Sequence, residues 1–415
     1  MDFEASPRAE ALRKALTEFF EAEVLPRNRA WHEAVVVKRQ AAPFMSALRE
    51  KARAQGFWNL ALPQLADDEP GTRCSNLEFA SLAEVMGRLS WGSEAFNCQA
   101  PDVPNMVLMH EAANPEQKAR WLRPLLEGTT RSAFAMTEPA VASSDATNIA
   151  TTIRRAGNRY VVNGRKWYIT GAAHPDCSIL FVLGRQVSDG ASGRTQQHSI
   201  VIVPASAPGV RLVRPLRFIG WEDHVAPIGE LEFTDVEVPM ENLIGTEGGG
   251  FAATQARLGP ARIHHCMRLI GAAEVLVSLM IARARERHTF GRTVIEYDSV
   301  QQAIAQSRVE IEQARLIVLK CAWAIDKAGF KGGWRDLSLA KIAVPAAVQR
   351  IADRALQIFG AMGGSDDTPI HHALAYARLM RIGDGPDEVH LRQIFRTEPQ
   401  PDWSVADSPY ICPHA

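Results

Sequence analysis

A chain of 415 residues with 46 lysines and arginines against 47 aspartates and glutamates suits two or three domains sharing one body, with no net field to draw nucleic acid or an anionic membrane. Its six cysteines, Cys74, Cys98, Cys177, Cys266, Cys321 and Cys412, show no Cys-x-x-Cys spacing, which argues against a zinc centre or disulfide scaffold and fits a reducing cytoplasm. The acidic start Met1-Asp2-Phe3-Glu4 lacks the basic-then-apolar pattern of a secretion signal, and no uncharged stretch approaches the roughly 18 to 20 residues of a membrane span.

Residues 1–128 read as helix after helix. Arg8 to Glu23, Ala42 to Gly56, Ser75 to Arg88 and Pro115 to Glu127 each repeat apolar residues at three- and four-residue intervals. From 129 to 240 the period changes to two. Tyr160-Val161-Val162, Ser178 to Leu183, Ser199 to Val203 and Gly229 to Phe233 read as strands, and Asn163-Gly164 as a tight hairpin turn before Lys166. A sheet domain, a small barrel, is expected here.

After Gly248-Gly249-Gly250 the helices return, longer, over 241–398. Ile270, Ala273, Val277, Met280 and Ala284 trace one face of a helix ending near Thr289, and Ile304, Ile311, Val318 and Ile325 recur every seven residues in the next. A third runs from about Asp336 to Met362, with a bend expected at Pro345, where an amide donor is missing. The proline-rich tail, 399–415, reads as an extended arm or as disordered. The pairs His264-His265 and His371-His372 are poor metal clamps, because neighbours on a helix point about 100° apart, so no metal site is expected.

Directly after an apolar helical segment, Gly383-Asp384-Gly385-Pro386-Asp387-Glu388 packs three carboxylates around two glycines and a proline. Alone, such a run is most simply an acidic surface turn. Its company changes that reading. Phe134 to Pro139, Trp167 to Gly171, Arg287 to Gly291, Gln357 to Gly360 and the Asp384 loop occur in the order and at roughly the spacing seen in acyl-CoA dehydrogenases, and the chain resembles that family over nearly its whole length. The resemblance implies an α+β fold with an N-terminal helical domain, a middle β-barrel domain and a C-terminal four-helix bundle. It also implies FAD at the junction of sheet and bundle, and a homodimer or dimer of dimers.

Residue by residue, the resemblance places Phe134, the backbone around Met136 and the Thr137 hydroxyl at the flavin edge where hydrogen-bond donors stabilise the charge that develops on reduction. Thr170 matches the contact near flavin N5. Tyr168 matches the ring that packs on the flavin, with Trp167 beside it as the other candidate. Arg287, Thr289 and Phe290 match the segment that holds the pyrophosphate of a neighbouring subunit's FAD, a task that suits the planar guanidinium fork. Gln357 and Gly360 match a second cross-subunit contact, although Ala361 and Asp298 depart from the usual residues there. Pro386 and Glu388 fall among the cofactor positions as well.

The same comparison makes Asp384 the base that removes the α-proton of an acyl-CoA thioester while hydride leaves the β-carbon for the flavin. The family's other base location is Ala261 here, which cannot take a proton. Ser144 matches a residue beside both the pyrophosphates and the ligand, and so counts for cofactor and substrate alike; Arg262 matches an arginine near the catalytic loop and CoA, Gly385 falls among the substrate positions, and side chains from Ala83 to Leu89 match those that set acyl-chain length. Electrons would pass to an electron-transferring flavoprotein. Two other readings share the fold: a nitroalkane oxidase, which also uses an aspartate base but needs no CoA, and a non-catalytic, flavin-containing DNA-associated branch, which would want a basic surface that this balanced charge does not offer.

Overall fold

The computed structural model of the chain describes residues 6–187, 198–405, 408 and 410–411; the start Met1 to Glu4 and Cys412 lie outside them. The helices α1 (Pro7–Phe19), α2 (Asn28–Trp31), α3 (Met45–Ala54), α4 (Asn76–Met86) and α5 (Asp102–Ala112), then the short α6 (Pro115–Gln117) and α7 (Arg123–Glu127), form the first layer. Their ends carry the expected chemistry. Ser6 caps α1 by accepting from Ala9 N, and Ser75 and Glu78 form a reciprocal capping box at α4. The single helix expected from Pro115 to Glu127 is divided by a widened turn at Lys118–Leu122. Helix α5 escapes a periodicity search because its residues Asp102 to Met109 are all buried, which leaves no polar face.

The middle of the chain supplies β1 (Arg131–Ala135), β2 (Thr152–Ala156), β3 (Arg159–Ile169), β4 (Cys177–Val187), β5 (His198–Pro204), β6 (Val210–Pro215), β7 (Gly229–Pro239) and β8 (Leu243–Ile244). They pair in the order β6-β7-β3-β2-β4-β5-β8, with β1 joined in parallel to β4. The sheet curls around its own core, in which Ile153, Val162, Val182, Val203, Phe233 and Val236 are all buried.

The expected hairpin at Asn163-Gly164 is wrong. Both residues lie inside β3, and the two-residue turn is Gly157-Asn158, between Ala156 and its partner Arg159. Gly164 is needed for close approach instead: its φ is +153°, and a Cβ there would come within 2.8 Å of Thr151 Cα. The pairing register shifts at this point, the mark of a bulge.

The last layer is α8 (Gly250–Glu286), α9 (Asp298–Gly332), α10 (Trp334–Phe359), α11 (Ile370–Met380) and α12 (Asp387–Phe395). Helices α8 to α11 make the bundle, with α10 packed on the other three. Ile270, Ala273, Val277, Met280 and Ala284 of α8 and Ile311, Val318 and Ile325 of α9 are buried, the faces their spacing predicts. Helix α8 stops at Glu286, and Thr289 belongs to a small hairpin, β9 (His288–Thr289) with β10 (Arg292–Thr293). Helix α10 runs through Pro345. A kink the spacing does not foresee lies at Gly329 of α9 (φ 66°, ψ 177°). By composition α8 is long and apolar enough to cross a membrane, but half of its most apolar window is buried within the fold. First layer and bundle share one apolar core with one face of the sheet, through Phe181, Leu183, Ile200 and Ile202, while the other face keeps its own.

Candidate active site

Where these three parts meet, a cavity of about 2900 Å³ opens, about three times the upper end of the roughly 300–1,000 Å³ typical of small-ligand clefts. The sheet contributes Phe134, Met136, Thr137, Ser144, Trp167, Tyr168 and Thr170, the bundle Arg257, Ala261, Arg262, His265, Asp384, Gly385 and Pro386, and the first layer Gly87 to Ser90. Ala83 is not among the lining residues; it is fully buried in the helical core, so of the stretch from Ala83 to Leu89 it is Gly87 to Leu89 that reach the cavity.

The Asp384 loop is tied from several sides. Asp384 has φ +56° and Gly385 φ +107°, a left-handed pair that aspartate and glycine tolerate better than most residues. Arg262 Nε donates to the Asp384 carbonyl at 2.7 Å. The ammonium of Lys341, fully buried in α10, donates to the Met380 carbonyl, and it lies 3.5 Å from the Gly385 carbonyl. Arg381 Nε holds Asp387 Oδ2 at 2.8 Å. Asp387 is engaged by this last bond, and neither it nor the exposed Glu388 is among the cavity-lining residues.

The Asp384 carboxylate keeps 19% of its side-chain exposure, and it is among the cavity-lining groups. Burial alone would raise its pKa, but His265, Arg257, Lys341 and Arg262 together hold it below the ordinary aspartate value. Burial pushes His265 down to about 3, so at neutral pH it faces Asp384 as a neutral ring. The charged pull is then that of Arg257, Lys341 and Arg262. Burial pushes the two arginines down to about 10, which still leaves them cationic. One guanidinium nitrogen of Arg262, Nη1, is buried without a hydrogen-bond partner among the described residues, an unspent donor on a cavity-lining side chain.

The sheet side is pinned by a buried ion pair that sequence reading missed. Lys166 Nζ reaches Glu138 Oε1 at 2.8 Å, the Met136 carbonyl at 2.8 Å and the Leu183 carbonyl at 2.7 Å. Glu138 in turn accepts from the amides of Ala150 and Thr151. The Thr137 hydroxyl donates to the Trp167 carbonyl at 2.6 Å, a bond between two strand ends. Trp167 and Tyr168 both line the cavity, their rings 5.2 Å apart and inclined at 73°, and Tyr168 has φ +50°. Ser144 is exposed at the rim.

Arg287, Thr289, Phe290, Gln357 and Gly360 are not brought to this cavity. All are exposed in the single chain, and Phe290, at the tip of the β9–β10 hairpin, is 96% exposed. A side chain so apolar and so open is a contact in search of a surface.

The cavity's position between sheet and bundle, its size, the two aromatic rings and the unspent Arg262 donor fit a flavin dinucleotide beside a second large ligand, the arrangement of a flavin-dependent oxidoreductase. Comparison with known proteins gives the family. Profiles of the N-terminal, middle and C-terminal domains of acyl-CoA dehydrogenases match residues 6–129, 133–236 and 248–398. The chain belongs to the acyl-CoA dehydrogenase family, and it is an FAD-dependent oxidoreductase.

It is 48% identical over 403 residues to the probable acyl-CoA dehydrogenase FadE2 of Mycobacterium tuberculosis, covering 96% of this chain and 97% of that one. It is 45% identical to acyl-CoA dehydrogenase family member 10 of Mus musculus, over 95% of this chain but only 37% of that longer protein. A protein from Mycobacterium abscessus, solved as a candidate acyl-CoA dehydrogenase, superposes with a TM-score of 0.89 at 43% identity, covering 95% and 98% of the two chains.

Proposed function

We propose that this protein dehydrogenates an acyl-CoA thioester between its α and β carbons to the trans-2-enoyl-CoA, with Asp384 as the base. The observation that carries the reading is Asp384 itself, a carboxylate held on the cavity wall by a braced loop, while Ala261, at the alternative base position, also lines the cavity and cannot take a proton. FAD, when bound, supplies the hydride acceptor. The chain supplies the rest. Asp384 is kept ionised by its cationic neighbours and is ready to accept the α-proton. Ligand binding displaces water and raises its proton affinity toward what the reaction needs. Arg262, Ser144 and Gly385, all on the cavity wall, would meet the thioester and CoA, and Phe134, Met136, Thr137, Tyr168, Thr170 and Pro386, on the same wall, would seat the flavin.

The experiment is an anaerobic titration of the purified yellow protein with butanoyl-, octanoyl- and hexadecanoyl-CoA. At least one should bleach the flavin and yield the 2-enoyl product, and a flavin unmoved by all three would overturn the reading. Placement in fatty-acid β-oxidation in the cytoplasm, with an electron-transferring flavoprotein as acceptor, belongs to the same proposal. The flavin reduced by an acyl-CoA should then pass electrons quickly to such an acceptor or a dye and slowly to oxygen. Rapid peroxide release at every turnover would mark an oxidase instead.

The exposed Arg287, Thr289, Phe290, Gln357 and Gly360 support a homodimer or dimer of dimers in which they serve a neighbour's FAD. Arg287→Ala should lose flavin on gel filtration and weaken the assembly together. A variant that keeps full flavin and the native assembly would remove the cross-subunit role. Asp384→Glu should retain partial activity. The longer side chain enters a loop shaped for a shorter one at a left-handed position, and misplacement of about an ångström costs on the order of a hundredfold in flavin reduction. Wild-type speed would mean that the loop does not discriminate length.

A further inference from the structure

One titratable side chain beside Asp384 has no role in the reading above. His265 is buried on α8, and its Nε2 lies 3.5 Å from Asp384 Oδ2. Its other ring nitrogen, Nδ1, is 2.5 Å from the Tyr376 hydroxyl and 3.1 Å from an Arg268 guanidinium nitrogen. A guanidinium only donates, so Nδ1 must accept, and the Tyr376 hydroxyl is left to donate to it as well. With Nδ1 unprotonated, the ring's one hydrogen sits on Nε2, on the side of Asp384.

Tyr376 is itself wedged on α11 by the rings of His372, 5.9 Å away, and Trp221, 6.0 Å away. Neighbouring His264 turns elsewhere and meets the Phe79 ring edge-on at 5.0 Å.

The braces already described act on the backbone of the loop. Arg262 donates to the Asp384 carbonyl, and Lys341 faces the carbonyls of Met380 and Gly385. Among the described residues, the side-chain nitrogen within 4 Å of the carboxylate itself is that of His265. We propose that His265 is a positioning residue for Asp384, held by Tyr376 and Arg268 in the Nε2–H form and donating to Oδ2, so that Oδ1 is the oxygen that takes the substrate's proton. A separation of 3.5 Å is long for a hydrogen bond, and such bonds commonly shorten when the ligand arrives. The inference rests on Asp384 being the base.

A donor to a carboxylate lowers its proton affinity, so this contact costs some driving force. The gain is aim, which matters most for a side chain as short as aspartate, since an ångström of misplacement costs about a hundredfold. Glutamine carries an amide nitrogen close to the place of Nε2, whereas asparagine ends near Nδ1 and cannot reach Asp384. The two substitutions therefore separate positioning from mere filling of space. The other charged or titratable groups facing Asp384, namely Arg257, Arg262 and Cys266 on α8, Lys341 on α10, Tyr376 on α11 and His390 on α12, stay unchanged in both.

The test is anaerobic flavin reduction by octanoyl-CoA in the flavin-loaded variants His265→Gln, His265→Asn and Asp384→Asn, followed against pH, with octanoyl-CoA affinity measured from the spectral shift. His265→Asn should reduce its flavin about a hundredfold more slowly at nearly unchanged affinity, with the acidic limb of the rate profile moved to higher pH, because a donor to the carboxylate is gone. His265→Gln should recover most of the rate and return the limb. Equal rates and unmoved limbs in His265→Gln and His265→Asn would overturn the positioning role while Asp384→Asn remains inactive. Should Asp384→Asn itself reduce at the wild-type rate, the base assignment fails, and this inference fails with it. If octanoyl-CoA leaves the wild-type flavin unreduced, the fastest member of the acyl-CoA panel takes its place, and a panel without any bleaching overturns both readings.

Discussion

Asp384→Asn should keep its flavin, still shift the flavin spectrum on binding acyl-CoA, and bleach at least 10² to 10⁴ times more slowly than the wild type, the usual cost of losing a general base. The loop makes this a clean substitution. Asparagine shares aspartate's size and its tolerance of positive φ, so the +56° backbone of residue 384 need not move. The bond from Arg262 Nε goes to the backbone carbonyl and survives the change. What disappears is the group proposed to take the proton. Stopped-flow reduction under anaerobic conditions measures it directly. A wild-type rate would place the base elsewhere, but not at Asp387, whose carboxylate is engaged by Arg381, nor at Glu388, which lies off the cavity.

The features legible in the sequence are those with local causes. The buried stripes of α8 and α9 follow from spacing alone, and the caps of α1 and α4 from single residues beside them. The loop of Asp384 stands out because its glycines, proline and carboxylates are contiguous. The misreadings share a different origin, in that each depends on a partner distant in the chain. Gly164 looks like a turn residue until Thr151, immediately before the neighbouring strand β2, takes the space its Cβ would need. Helix α5 loses its periodicity because both α8 and β1 cover it. His265 reads as half of an unremarkable histidine pair, and only the fold brings it to Asp384 and Tyr376. Lys341 and Lys166 look like surface lysines among their neighbours, yet both are fully buried.

Lys166 gives the largest expected loss of stability. Its ammonium joins Glu138 to the carbonyls of Met136 and Leu183 and so fastens the end of β1, where the flavin edge is proposed to sit, to β3 and β4. Both side chains are almost completely buried, with 0% and 3% of their surface exposed. Burial pushes the lysine down to about 8. For Glu138, burial alone would raise its pKa, but Lys166 and the Thr151 and Ala150 contacts outweigh it and hold the carboxyl below its ordinary value. Lys166→Met fills the space but leaves the carboxylate unpaired, and breaking a buried pair in this way costs about 3–5 kcal/mol. Denaturant unfolding should show a loss of that order, together with weaker FAD retention. Glu138's lowered pKa contributes stability that is present above its unfolded value, about 4.3, and is lost as pH falls through the folded one. The variant lacks that contribution, so its deficit should hold from neutral pH down to about pH 4.3 and narrow as pH falls below that value. Adding Glu138→Gln removes the stranded charge and should restore part of the loss. A single variant as stable as the wild type would show that the pair does not hold the two strands together.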